Sequence, residues 1–157
     1  FITRIKTMTA FDILRATRKN ILKTINGLTL EQFNTIPAGF NNNLGWQVGH
    51  VIVTQQLLCY RLAGQECNVS EKMIAAFRKG SKPEQQYDAE DIALFKKLLE
   101  TTINRMESDY NDGIFMDYKE YTTSYGFTIK SVEAAIEFNN VHEGMHLGWM
   151  VAMKRLV

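Results

Sequence analysis

The stretch FNNVHEGMHLGWMVAMKRL, residues 138–156, decides how this chain is read. Its apolar residues recur every three or four positions, at Val141, Met145, Trp149, Met153 and Leu156, which is the period of a helix. Inside it HEGMH, residues 142–146, matches the H-E-x-x-H pattern in which two histidines one helical turn apart hold zinc and the glutamate acts as a base. His142 and His146 are four apart, so both rings leave the helix on the same side. A catalytic zinc site takes three protein ligands and keeps one position open. The reading therefore turns on where a third ligand comes from.

In peptidases with this motif the third ligand lies downstream, yet the tail here is LGWMVAMKRLV and contains no His, Asp or Glu. No strand is found to align a peptide either, so the peptidase reading weakens. Glu143 remains the candidate catalytic base, against the alternative of a solvated carboxylate or one that supports a ligand. The one other histidine, His50, lies in FNNNLGWQVGHVIVTQQLLCYRLAG, residues 40–64. Asparagine is a good N-cap, so the run Asn41-Asn42-Asn43 predicts a helix carrying Leu44 through Leu62. Helical stepping puts Trp46, His50, Val53 and Leu57 on one stripe of that helix. It puts Asn139, His142, His146 and Trp149 on one stripe of the last. Buried imidazoles without partners cost about 1–3 kcal/mol each, so three on inward stripes call for hydrogen bonds or a metal.

Four glycines point the same way. Gly45, Gly49, Gly144 and Gly148 lie in the two histidine-bearing helices, where each costs about 0.8–1 kcal/mol relative to alanine. Close approach of the two backbones is the simplest reason for them, and it brings His50 to His142 and His146. Asn139 and Gln47 are candidates to orient a ring by hydrogen bond. Trp46 and Trp149 border the site, as packing or as substrate contacts. Tyr60 and Arg61 either reach a polar substrate or form a solvated helix end.

The rest of the chain supplies the scaffold. A first helix is expected from about Met8 to Asn26, with Phe11, Leu14, Ile21, Leu22 and Ile25 inward and Arg15, Arg18, Lys19 and Lys23 outward. Thr29 and Gln32 have capping-box spacing. A short helix at residues 70–77 and a long one at about 88–110 follow. The latter turns Ile92, Phe95, Leu98, Leu99, Ile103 and Met106 inward. The connection DGIFMDYKEYTTSYGFTI, residues 112–129, is either irregular or a strand-like turn. Its aromatics Phe115, Tyr118, Tyr121, Tyr125 and Phe127 cover the site or one end of the bundle. The last helix begins near Ser131. Four long helices with long connections predict an all-α four-helix bundle, a single domain over residues 1–157.

Composition narrows the function classes. A net charge of +1, with 45% hydrophobic and 22% charged residues, describes a globular protein with no electrostatic footprint for nucleic acid or an anionic membrane. No apolar run approaches the roughly 20 residues of a membrane span and no leader opens the chain, so a cytoplasmic location is expected. Cys59 and Cys67 fit no zinc-ribbon spacing and read as free thiols. Cys59 lies nine residues beyond His50, about 13 Å along the axis on roughly the opposite face, out of reach of the same ion.

The two stretches quoted above, with YTTSYG at residues 121–126, resemble the DinB-like superfamily over nearly the whole chain. That resemblance implies a four-helix bundle in which one histidine of the second helix and an H-x-x-x-H pair of the last bind a divalent metal. Carried over, the ligands are His50, His142 and His146. Gly148 matches the small residue after the last histidine, and Trp149 stands where many members have Gln. Some relatives are transferases or isomerases that use low-molecular-weight thiols, and a homodimer is the assembly the family suggests. Zinc or nickel leads, with iron and manganese also suited to imidazole. The expected function is a metal-dependent transferase or hydrolase, in which a thiol or water ionised by the metal attacks a small-molecule substrate. The alternative is a non-enzymatic bundle that binds a structural metal or a small ligand.

Overall fold

The structure, a computed structural model, describes residues 2–157, with side chains from Thr9 onward. Six helices follow in order: α1 (Ile2–Ile25), α2 (Leu30–Asn34), α3 (Leu44–Cys59), α4 (Glu71–Phe77), α5 (Ala89–Asn111) and α6 (Val132–Lys154). A 3₁₀ turn, Arg61–Ala63, extends α3, and two short strands, β1 (Tyr121–Thr122) and β2 (Thr128–Ile129), pair antiparallel before α6. The long helices α1, α3, α5 and α6 make the bundle, with α6 packed chiefly on α1 and α3. The long aromatic connection is thus the strand-like turn. Among the described residues no helix is long and apolar enough to cross a membrane.

Helix starts follow local sequence. Thr29 and Gln32 form the expected capping box, and Asn43 accepts from the Trp46 amide at 2.9 Å. Ser70, Asp88 and Ser131 cap α4, α5 and α6 in the same way. Each such cap is worth about 1 kcal/mol.

The centre of the fold is α3. All but two of its residues are buried, its polar Gln47, His50, Gln55 and Gln56 included. A helix covered on every side must satisfy its polar groups inside the protein. Here α2, α4, α5 and α6 provide the cover. The chain between α4 and α5 is pinned by Asn34, whose side chain exchanges two hydrogen bonds with the backbone of Tyr87 at 2.8 and 2.7 Å. That pin presses the Tyr87 and Phe77 rings onto α3.

The glycines answer to those rings and not to α6. A Cβ on Gly45 falls 2.2 Å from the Tyr87 ring and one on Gly49 falls 2.3 Å from the Phe77 ring, whereas Gly144 and Gly148 face open space. The expectation that all four mark close approach of two backbones is corrected accordingly. Aromatic edges need the room at α3, and nothing does at α6.

Arg18 is a second correction. It belongs to the stripe Phe11, Leu14, Arg18, Ile21, Ile25 and is only 2% exposed, not outward with Arg15 and Lys19. Its guanidinium meets Glu143 at 2.8 and 3.0 Å, the Leu99 carbonyl at 3.0 Å and the Thr102 hydroxyl at 2.7 Å, which links α1, α5 and α6. Glu143 is fully buried and also accepts from Asn139 at 2.9 Å. The inward stripe of α6 therefore runs through Ile136, Asn139, Glu143, His146, Met150 and Met153, leaving Val141, Trp149 and Leu156 exposed.

Two substitutions separate these roles. Gly49→Ala overpacks against Phe77 and should lower stability by about 1–2 kcal/mol net of improved helix propensity, while Gly144→Ala should raise it by about 0.8–1 kcal/mol. Urea midpoints at neutral pH read both. Glu143→Ala leaves a buried guanidinium unpaired and should cost about 3–5 kcal/mol in the same measurement.

Candidate metal centre

His50 lies on the second turn of α3, with the Trp46 ring stacked on it at a centroid distance of 4.5 Å and an interplanar angle of 11°. Its Nδ1 is 2.7 Å from the Phe77 carbonyl. Phe77 is the last residue of α4, so this carbonyl has no helical donor and accepts from the ring. A carbonyl oxygen only accepts, so Nδ1 carries the hydrogen and Nε2 keeps its lone pair, with the Thr54 hydroxyl 3.4 Å away.

His146 is fixed by the same logic. Its Nδ1 lies 2.5 Å from Gln47 Oε1, and the Gln47 amide nitrogen donates to Asn42 Oδ1 at 2.7 Å, which sets the amide with its oxygen toward the ring. Nε2 of His146 is therefore also bare. It lies 3.1 Å from Nε2 of His142, and the ligand atoms of all three rings fall within 4.8 Å of one another. Ring centroids are 5.2 Å apart for His50–His142, 4.7 Å for His50–His146 and 4.4 Å for His142–His146.

This arrangement is awkward for a bundle of ordinary core histidines. Nδ1 of His142 is buried without a hydrogen-bond partner. If it carries the hydrogen, that donor is orphaned and two bare lone pairs face each other at 3.1 Å. If Nε2 carries it, Nδ1 is the orphaned acceptor. Either tautomer leaves a buried nitrogen unsatisfied, at about 1–3 kcal/mol. A divalent cation at the point of convergence would take the facing lone pairs and relieve their repulsion, with the hydrogen of His142 then on Nδ1. Three neutral imidazoles suit zinc and other divalent first-row ions, and hydrogen bonds from Nδ1 to carbonyl oxygens are the outer support such ligands normally carry.

Electrostatics keep the rings neutral, as metal ligands must be. Burial pushes the His142 pKa down to about 3, helped by the neighbouring His50, and that of His146 down to about 2, with His142 and His50 adding to it. Burial lowers His50 as well, against the opposing pull of the Phe77 carbonyl.

The three rings form part of the wall of a cavity of about 650 Å³. Trp46, Thr54, Leu57 and Arg61 of the α3 side, Phe138, Met145 and Trp149 of α6, Tyr121, Thr123, Ser124 and Tyr125 of the strand turn, and Lys79 also line it. A three-ligand ion here keeps a position facing open space. Trp149 is 48% exposed and sets its ring edge-on to His146 at 4.8 Å.

Other candidates fall elsewhere. Glu143, the candidate base, is held by Arg18 and Asn139 inside the bundle and is not on the cavity wall. Asn139 touches Glu143, while Gln47 is the residue that orients a histidine. Cys59 is buried in a separate apolar cluster. Tyr60 is buried and donates to Asp109 at 2.7 Å, whereas Arg61 lines the cavity and pairs with Glu71. Of the aromatics in the long connection, Tyr121 and Tyr125 line the cavity; Phe115 packs on Tyr60 and Tyr118 donates to the Leu58 carbonyl. The Phe77 carbonyl and Asn42 were not foreseen, because a backbone group offers no residue type to recognise and Asn42 reads as one of three capping candidates.

The DinB superfamily model matches residues 13–150, and the chain belongs to that superfamily. No curated protein matches the chain. Membership places the chain in a metal-associated superfamily, and its three histidines stand close together.

The pKa directions fix the pH dependence of the metal-free fold. Unfolded histidines titrate near 6.5, while His142 and His146 resist protonation down to about 3 and about 2, so below 6.5 the unfolded chain gains protons that the native state refuses. Stability is therefore full above pH 6.5 and falls as pH drops, by up to about 1.4 kcal/mol per pH unit for each such histidine. Urea unfolding of metal-free protein from pH 7.5 to 4.5 should show this slope. It should be shallower in His146→Asn by one histidine's share.

Proposed function

We propose that this protein is a divalent-metal-dependent enzyme acting on a small molecule, a transferase that uses a low-molecular-weight thiol in preference to a hydrolase. The observation that carries the reading is that three imidazole lone pairs converge on the wall of an open cavity and not within a sealed core. A structural zinc is normally closed by a fourth protein ligand, often Cys. Neither Cys59 nor Glu143 lines this cavity.

A bound ion supplies Lewis acidity and lowers the pKa of a thiol or water at its open position. The chain's own residues do the rest. His50, His142 and His146 hold the ion, and Gln47 and the Phe77 carbonyl keep two of the rings in the ligating tautomer. Thr54 places its hydroxyl 3.4 Å from His50 Nε2 on the cavity wall, where it can hydrogen-bond a molecule beside the metal. Leu57, Phe138 and Met145 give an apolar flank beside the histidines for the body of a substrate. Among the described residues lining the cavity there is no carboxylate to act as general base. Thiols ionise far more readily than water, which favours the thiol-dependent branch. Zinc or nickel suits the donor set best, and a reducing cytoplasm is where such a thiol would be plentiful.

Elemental analysis should find about one divalent ion per chain, absent from His142→Ala. Gln47→Ala should weaken metal affinity about 10- to 100-fold while leaving the fold intact by circular dichroism. Conjugation of a low-molecular-weight thiol to an aryl halide should disappear on chelation and return with added zinc or nickel. Activity that persists in metal-free protein ends this reading.

A further inference from the structure

We infer that the cavity beside the histidines selects a molecule with an apolar body and an anionic group. This rests on the cavity being the substrate site. None of the described residues lining it is acidic, although the chain carries 17 acids against 18 bases. Two of them, Lys79 and Arg61, are cationic. Walls of one charge sign with low-dielectric surroundings concentrate ions of the opposite sign.

The two cations differ in position and in freedom. Lys79 lies two residues beyond Phe77, whose carbonyl holds His50, so it belongs to the histidine end. It is exposed and has no ion-pair partner among the described residues. Arg61 lies eleven residues beyond His50 on α3 and its 3₁₀ extension, about 16 Å along the axis. It interacts with the Cys67 side chain and pairs with Glu71, which is 78% exposed, and a solvated pair of this kind is worth about 0–1 kcal/mol, so an incoming anion can compete for the guanidinium. Much of the remaining wall is apolar, with Leu57, Leu58, Leu62, Phe138 and Met145, and its polar members Thr54, Thr123 and Ser124 are uncharged. An amine would meet no carboxylate anywhere along it. An aryl or alkyl acid finds cover for its body and a cation at either end.

The test uses 1-naphthylacetate, its neutral amide and 1-naphthylmethylamine as probes, titrated calorimetrically into metal-free and zinc-loaded protein whose metal content is measured in each sample. The acid should bind about five- to tenfold more tightly than the amide in both forms, with the amine weakest. Lys79→Glu or Arg61→Glu, or both together, should remove that preference and leave amide binding unchanged; the variant that does so identifies the anion's end. Equal affinities for acid and amide, tighter binding of the amine, no binding of any probe, or an acid preference untouched in the double variant overturns the inference. A preference seen only with zinc also overturns it, since the ion alone then attracts the acid. Metal content settles the other reading separately: protein that takes up no zinc yet prefers the acid refutes the metal centre and keeps the anion site.

Discussion

The ion pair between Arg18 and Glu143 sets the rotation of α6, and the site follows from that rotation. Both groups are buried, so each has one favourable place to be: against the other, with Thr102, Leu99 and Asn139 filling the remaining hydrogen-bond positions. Pointing Glu143 at the bundle axis turns the residues one before and three after it onto a single flank. Those residues are His142 and His146. They face α3 and the cavity because the carboxylate between them faces α1. A few tens of degrees of rotation either way would bury the rings among Ile136 and Met150 or hand them to solvent.

Much of this could be read from the chain before any coordinates. The long helices and their caps followed from periodicity and from Asn, Ser, Thr and Asp at the right offsets. The histidine triad followed from there being three such residues at helical spacing. The failures share a cause. Arg18 looked like one cation among several on an outer face, because the carboxylate that justifies its burial is 125 residues away and nothing local announces it. The same blindness hid the ion pair that holds Glu143 inside the bundle. Glycine spacing said that side chains had to be missing but not what filled the gap. Phe77 and Tyr87 reach α3 by way of Asn34 and a loop whose path the sequence does not encode locally.

The support of the rings is built from element ends. A carbonyl left over at the C-terminus of α4 and an amide in the first turn of α3 decide which nitrogen of His50 and of His146 is free. The third ring, His142, has no such partner and keeps an orphaned nitrogen, so two rings of the cluster are fixed by their neighbours and one is not. Burial of three imidazoles beside one another costs the fold stability that a bound ion would offset, and occupancy would then be coupled to stability.

Phe77 serves twice, with its ring filling the space over Gly49 and its carbonyl gripping His50. α4 is a helix of seven residues, joined to α5 by a loop pinned at Asn34, and short elements of this kind open locally at lower free energy than the long helices around them. Each such opening releases the hydrogen bond that fixes the His50 tautomer, while the Trp46 ring stays stacked on it. One small helix thereby ties the packing over Gly49 to the orientation of a ring, so that damage to either is felt by the other.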